Sequence, residues 1–92
     1  VDALPAFAAD PNVLVDLYRR MSFTRVFDGK AVALQRTGKL GTYAPCLGHE
    51  ATHVGIGAAM AEGDVYAPSY REYGILFERG VRSRVYELPA VA

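Results

Sequence analysis

The run Asp10 to Gly38, DPNVLVDLYRRMSFTRVFDGKAVALQRTG, decides the fold. Asp10-Pro11 is a helix entry, with a carboxylate to accept the first unpaired N–H groups and a proline at the first helical position. From there Leu14, Leu17, Tyr18, Met21, Phe27, Ala31 and Leu34 recur at three- and four-residue steps. That spacing predicts one amphipathic helix over 11–37, about seven turns long. Arg19, Arg20, Asp28, Lys30 and Arg36 fall mostly on the other face. Gly38 ends the helix as a left-handed C-cap residue. Gly29 sits inside it at a cost of ~1 kcal/mol relative to Ala, so packing must hold that turn.

Upstream, Val1 to Ala9 reads as an irregular leader. Downstream, Lys39 to Leu47 is a loop carrying Gly41, Tyr43 and Pro45. A second helix is expected over 49–61, where Gly55, Gly57, Ala58 and Ala59 leave a nearly bare surface for a close neighbour. Glu62-Gly63-Asp64 is a turn, and a third helix is expected over 69–80 with Ile75, Leu76 and Phe77 on its buried side. Arg82 to Ala92 reads as a short helix or strand stopped by Pro89. The expected fold is a mainly α single piece of three helices.

The sequence has 92 residues and is 51% hydrophobic, a large apolar share for so short a chain, so part of it is expected to face another domain or subunit. Ten basic residues balance ten acidic ones, and no segment gathers Lys and Arg, which excludes a basic nucleic-acid footprint. No run is long and apolar enough to read as a membrane span, and Val1 onward has no signal-peptide pattern. The one cysteine, Cys46, cannot form an internal disulfide and is consistent with a reducing compartment. It reads as a loop or core residue in preference to a nucleophile, because no third group orients a Cys46–His49 pair.

Two short patterns carry chemistry. In Ser69-Tyr70-Arg71-Glu72-Tyr73-Gly74, Ser69 and Glu72 match a capping box at a helix start. A helix N-terminus attracts anions, Arg71 adds a planar fork and Tyr70 a hydroxyl, so the hexapeptide reads as an anion site. On the hexapeptide alone the plainer reading is that Arg71 pairs with a nearby Glu and Tyr70 packs. His49-Glu50-Ala51-Thr52-His53 matches the His-Glu-x-x-His pattern of zinc hydrolases, with Glu50 as general base. Against zinc, the chain holds only these two histidines, so a third ligand would have to be Glu62, Glu72, Glu78 or Glu87. The other reading puts His53 on the packed face of the helix and His49 at its start.

Three segments in order carry a more specific likeness: Phe27-Asp28…Leu34-Gln35-Arg36-Thr37-Gly38-Lys39-Leu40-Gly41-Thr42-Tyr43, Gly48-His49-Glu50-Ala51-Thr52-His53-Val54-Gly55 and Pro68-Ser69-Tyr70-Arg71-Glu72-Tyr73-Gly74…Arg79-Gly80-Val81. Together, from about Leu17 to Val81, they resemble the alpha subunit of the first component of thiamine diphosphate-dependent 2-oxo acid dehydrogenases, of the pyruvate and branched-chain types. The resemblance implies the N-terminal part of an α/β thiamine diphosphate-binding fold. It implies an α2β2 assembly with a beta subunit, thiamine diphosphate and Mg²⁺ as cofactors, and a lipoyl-bearing acyltransferase component as the next partner. The implied reaction is oxidative decarboxylation of a 2-oxo acid, pyruvate or a branched-chain one, with acyl transfer to lipoyl-lysine.

The same resemblance implies that Tyr70 and Arg71 hold the diphosphate. Tyr43 is implied to line the approach to the substrate, with His49 a pocket neighbour, while Glu50 and His53 serve helix packing and local hydrogen bonds. No catalytic residue and no metal ligand carries over. The Gly-Asp-Gly…Asn motif of the family is absent, since Gly63-Asp64 is followed by Val65, so the Mg²⁺ ligands are expected outside this chain. Arg82 to Ala92 departs from the family pattern. The chain is therefore expected to be an N-terminal portion of a longer subunit, inactive alone, in a bacterial cytoplasm or, in a eukaryote, the mitochondrial matrix. Partners outside these classes, nucleic acid and membrane, are not expected. A zinc hydrolase and a non-catalytic helical interaction module are the competing functions.

Overall fold

Asp10 caps the first helix as its sequence dictates. Its Oδ1 accepts the Asn12 N–H at 2.9 Å, and α1 runs Pro11–Arg36, 26 residues. In the computed structural model, which describes residues 5–80, a 3-10 turn at Ala6–Ala9 precedes it, and α2 (Glu50–Ala59) and α3 (Tyr73–Glu78) follow. Among the described residues there is no strand. The readings placed on residues 1–4 and 81–92 lie outside the described residues.

The end of α1 follows the expected chemistry. Gly38 takes a φ of 77°, the Gly38 N–H reaches the Gln35 carbonyl at 3.1 Å, and the Lys39 N–H reaches Leu34 at 2.9 Å. This is the paired closure in which a glycine just past the helix satisfies the last carbonyls. Burial along α1 is less uniform than the apolar spacing implies. Thr24, Phe27, Asp28, Ala31 and Leu34 are buried, at three- and four-residue steps, while Leu14, Tyr18 and Val26 are exposed. Asp28, assigned above to the solvent face, is one of the buried residues and is held by hydrogen bonds described below.

The core sits where the C-terminal half of α1 meets the 38–49 loop and α3. Phe27, Ala31 and Tyr43 form its centre, with Val32, Leu40, Tyr73 and Phe77 packed against it. Phe27 meets Phe77 edge-on at 4.7 Å between centroids, and Tyr43 stacks on Tyr73 at 5.0 Å. Offset and edge-on pairs of this kind add about 0.5–1.5 kcal/mol each beyond the area they bury. α3, too short to persist alone, depends on this packing for its existence.

α2 and α3 approach closely because two glycines permit it. A Cβ at Gly57 would lie 2.4 Å from Glu78 Cβ, and one at Gly74 would lie 2.5 Å from His53 Cβ. The bare surface read on α2 is thus used, at Gly57. Arg79 then ties the joint: its guanidinium donates to the carbonyls of Ala61, Glu62 and Asp64 at 3.0, 3.1 and 3.0 Å. Arg20 pairs with Asp16 on α1 (2.7 Å) and reaches across to Glu78 on α3 (2.9 Å).

The third helix begins four residues later than its sequence signature indicates. Ser69 and Glu72 do meet, but as a closed turn. The Ser69 hydroxyl donates to the Glu72 carboxylate at 2.8 Å, where a cap would accept a backbone N–H. The Ser69 N–H donates to the same carboxylate at 3.0 Å. Tyr70 and Arg71 therefore lie on a loop ahead of α3 instead of in its first turn.

Candidate functional site

The 38–49 loop is fixed to α1 by a buried carboxylate. Asp28 Oδ1 accepts the Tyr43 hydroxyl at 2.7 Å and the Cys46 N–H at 2.8 Å. Burial, and then the bond to Asp28, raises the Tyr43 pKa, so the phenol stays protonated. Burial and the Asp28 charge push the Cys46 thiol up to about 11, which removes the thiolate a nucleophile needs. The resemblance puts Tyr43 on the approach to a substrate. In the fold it is 7% exposed, with its ring in the core and its hydroxyl committed to Asp28, so it supports the loop from beneath.

The second anchor is Glu50, at the start of α2. Its Oε1 accepts from Arg25 at 2.8 Å and its Oε2 from the Gly48 N–H at 2.9 Å, fixing the turn in which Gly48 takes a φ of 93°. Burial alone would raise the Glu50 pKa. The Arg25 and Gly48 hydrogen bonds outweigh it and hold the carboxyl below its ordinary value. His49 stands exposed as the N-cap residue, 5.8 Å from the His53 ring between centroids.

His53 is 1% exposed, and its Nδ1 accepts the Gly74 N–H at 3.3 Å. Burial, and then the neighbouring His49, lowers its pKa, so the imidazole is neutral with Nδ1 unprotonated. The His-Glu-x-x-His pattern is therefore absorbed into packing. Both oxygens of Glu50 and the Nδ1 of His53 are already committed to protein donors, and among the described residues no group of three His, Cys, Asp or Glu side chains could hold a metal ion.

The remaining candidates share one exposed loop. Tyr70 is 68% exposed, and the Arg71 guanidinium lies 5.3 Å from the centroid of its ring. Arg71 also donates through one N–H to the Pro45 carbonyl, which brings the 66–74 segment against the 38–49 loop. The Glu72 carboxylate holds the N–H groups of Ser69 and Arg71, and the Ser69 hydroxyl above all, with the backbone bonds after it, depresses its pKa. The Tyr66 hydroxyl donates to the Glu72 carbonyl at 2.7 Å. So Tyr70 and Arg71 come together at the surface beside Pro45, His49 lies at the end of the 38–49 loop, and Tyr43 lies below.

An arginine carries five N–H donors in a fixed fork. Among the described residues Arg71 uses one of them, which suits the fork to an anion with several oxygens, such as a diphosphate. Sequence reasoning missed Arg25 and Asp28 as supports of the site. Asp28 had a signal, because it shares a helical face with Thr24 and Ala31 at spacings of four and three.

Comparison with known proteins agrees with the order of these segments. Residues 18–88 match the family described as dehydrogenase E1 component. The chain is 45% identical over 65 residues, 71% of its length, to the 3-methyl-2-oxobutanoate dehydrogenase subunit alpha of Mycobacterium tuberculosis. It is 39% identical over 79 residues, 86% of its length, to the pyruvate dehydrogenase E1 component subunit alpha of Bacillus subtilis. It covers 18% of the first relative and 21% of the second, so it spans about a fifth of the length of the curated relatives it matches. No solved structure matches significantly. The chain belongs to the dehydrogenase E1 component family.

Proposed function

We propose that this chain is the diphosphate-contacting segment of the alpha subunit of a thiamine diphosphate-dependent 2-oxo acid dehydrogenase. The observation that carries the reading is the match over residues 18–88 to that family, with Tyr70 and Arg71 inside it on an exposed loop. Relatives named for pyruvate and for 3-methyl-2-oxobutanoate support a 2-oxo acid as the substrate and leave both acids as candidates. The zinc hydrolase is not supported, because Glu50 and His53 are engaged in the α1–α2 and α2–α3 contacts.

Bound thiamine diphosphate would supply the carbanion chemistry that removes CO2 from the 2-oxo acid, and the protein would supply position and charge. Arg71 would grip diphosphate oxygens with the rest of its fork, and Tyr70 would add a hydroxyl donor beside it. Pro45 and the 38–49 loop would hold the Arg71 side chain in place. Mg²⁺ would be held by ligands outside this chain, the beta subunit would complete the site, and the lipoyl-bearing component would take the acyl group. The exposed apolar part of α1, including Leu14, Tyr18 and Val26, is consistent with burial against the rest of such an assembly.

The test is a complete alpha subunit carrying this segment, co-expressed with a beta subunit. CO2 release from pyruvate and from 3-methyl-2-oxobutanoate is followed at increasing thiamine diphosphate with Mg²⁺ present. Arg71→Ala is expected to raise the half-saturating thiamine diphosphate concentration by roughly tenfold to a hundredfold, the worth of a charged hydrogen bond. Arg71→Lys should recover part of that. An unchanged cofactor requirement in Arg71→Ala would sink the assignment.

A further inference from the structure

The segment that carries Tyr70 and Arg71 is gripped at both ends by side chains outside the proposed ligand contacts. At its near end the Glu72 carboxylate closes the Ser69–Glu72 turn. At its far end the Gly74 N–H points into the interior and donates to His53 Nδ1 at 3.3 Å, across a sequence separation of 21 residues. Gly74 N–H lies in the first turn of α3, where the helix offers it no carbonyl of its own. Gly74 itself is buried, so water is a poor substitute. The imidazole is thus the group in α2 that satisfies this donor, and the missing Cβ at Gly74 is what lets the ring come so near.

We propose that His53 is a positioning residue for the Tyr70–Arg71 loop: by accepting the Gly74 N–H it fixes where α3 begins, and so the height and direction at which Arg71 presents its fork. This rests on the reading of Tyr70 and Arg71 as diphosphate contacts. His53 does not touch the ligand in this scheme. It acts through the backbone between Arg71 and Gly74, and the Tyr73 N–H to Arg71 carbonyl bond at 3.0 Å makes that span a tight turn that transmits the placement. The titratable groups that face His53 are Glu50 and His49 at the start of α2 and Glu72 from the loop. Both carboxylates are acceptors already held by other donors, Glu50 by Arg25 and Gly48 and Glu72 by Ser69 and Arg71, so neither competes with Nδ1 for the Gly74 N–H.

The role calls for an acceptor at one point in space, which gives a discriminating pair of variants. An asparagine at this position would offer a side-chain oxygen near the place of Nδ1, whereas a leucine fills similar space with no acceptor. In the complete alpha subunit assembled with beta, His53→Leu should raise the half-saturating thiamine diphosphate concentration roughly fivefold, with the rate at saturation little changed. His53→Asn should return it to within about twofold of the parent. Combined with Arg71→Ala, His53→Leu should add almost nothing, because the two act on one contact.

If Arg71→Ala is silent, the diphosphate reading fails. If Arg71→Ala has its effect and His53→Leu does not, or if its effect adds in full to that of Arg71→Ala, the positioning role of His53 is overturned while the reading stands. Should His53→Leu fail to fold, His53→Ala takes its place. Independently of any variant, the Gly74 amide of the unmodified protein must exchange its hydrogen slowly, and fast exchange there would refute the bond on which the proposal stands.

Discussion

The Tyr43 hydroxyl donates to Asp28 Oδ1 across 2.7 Å, and the same oxygen takes the Cys46 N–H, so one carboxylate on α1 fixes two points of the 38–49 loop. Asp28 and Tyr43 are both buried, 4% and 7% exposed, so removing one partner strands the other away from water. Tyr43→Phe should destabilise the chain by about 1–3 kcal/mol, the cost of leaving a buried charged acceptor short of a donor. Urea unfolding would show a lower midpoint at unchanged slope. A midpoint equal to the parent's would mean that water replaces the phenol without loss.

Glycines on two helices should respond with opposite signs to the same substitution. A Cβ at Gly57 would meet Glu78 Cβ at 2.4 Å, so Gly57→Ala must push α3 away and should cost about 1–3 kcal/mol. At Gly29 a Cβ meets nothing within 4 Å, so Gly29→Ala should stabilise α1 by about 0.5–1 kcal/mol. Thermal midpoints moving in the same direction would contradict the close packing of α2 on α3.

Two buried groups should make the chain acid-sensitive in two steps. The folded His53 pKa lies below its ordinary 6.5, so from about pH 6.5 downward the unfolded chain binds a proton that the folded chain resists, and stability is lost. The folded Glu50 pKa lies below its ordinary 4.5, so its contribution, present above that value, is lost as pH falls further. Urea midpoints taken from about pH 8 to about pH 3 should hold level down to about pH 6.5 and then fall in two steps, and His53→Asn should flatten the upper step and keep the lower one. A midpoint that rose between about pH 7 and about pH 6 would reverse the assigned sign for His53.

Arg79 holds three carbonyls of one turn, on Ala61, Glu62 and Asp64, with one planar group. Lysine carries the same charge but no fork, so Arg79→Lys should lose about 1 kcal/mol or more. The loss should appear as faster hydrogen exchange in the 60–64 turn before it appears in α1. Equal exchange in both would mean that the turn holds itself.

The long helix is legible nearly to the residue because both of its ends are written in local chemistry. Asp10-Pro11 opens it, and Gly38 closes it with a positive φ that a glycine adopts at no steric cost. α3 begins four residues after its signature for an equally physical reason. Ser-x-x-Glu describes which two side chains meet, and that meeting closes a turn as readily as it caps a helix. Which of the two forms depends on where Gly74 is held, and that is settled by His53, 21 residues away. The buried carboxylate of Asp28 is the larger omission. Charge alone sends Asp28 to the surface, and it stays inside only because Tyr43 and Cys46 bring donors to it from a loop whose path the sequence does not announce. Tyr70 and Arg71, the proposed diphosphate contacts, need no tertiary information to be singled out, because their short motif sits in an ordered series of matching segments.

The turn that sets Glu72 one residue from Arg71 has a kinetic consequence. The loop carries one positive and one negative charge side by side, on a chain whose formal net charge is zero, so at distances beyond a Debye length an approaching polyphosphate feels almost no pull from it. Recognition at Arg71 would then begin at contact instead of by long-range steering, and the rate at which a diphosphate arrives should change little with ionic strength, while its rate of departure carries the specificity.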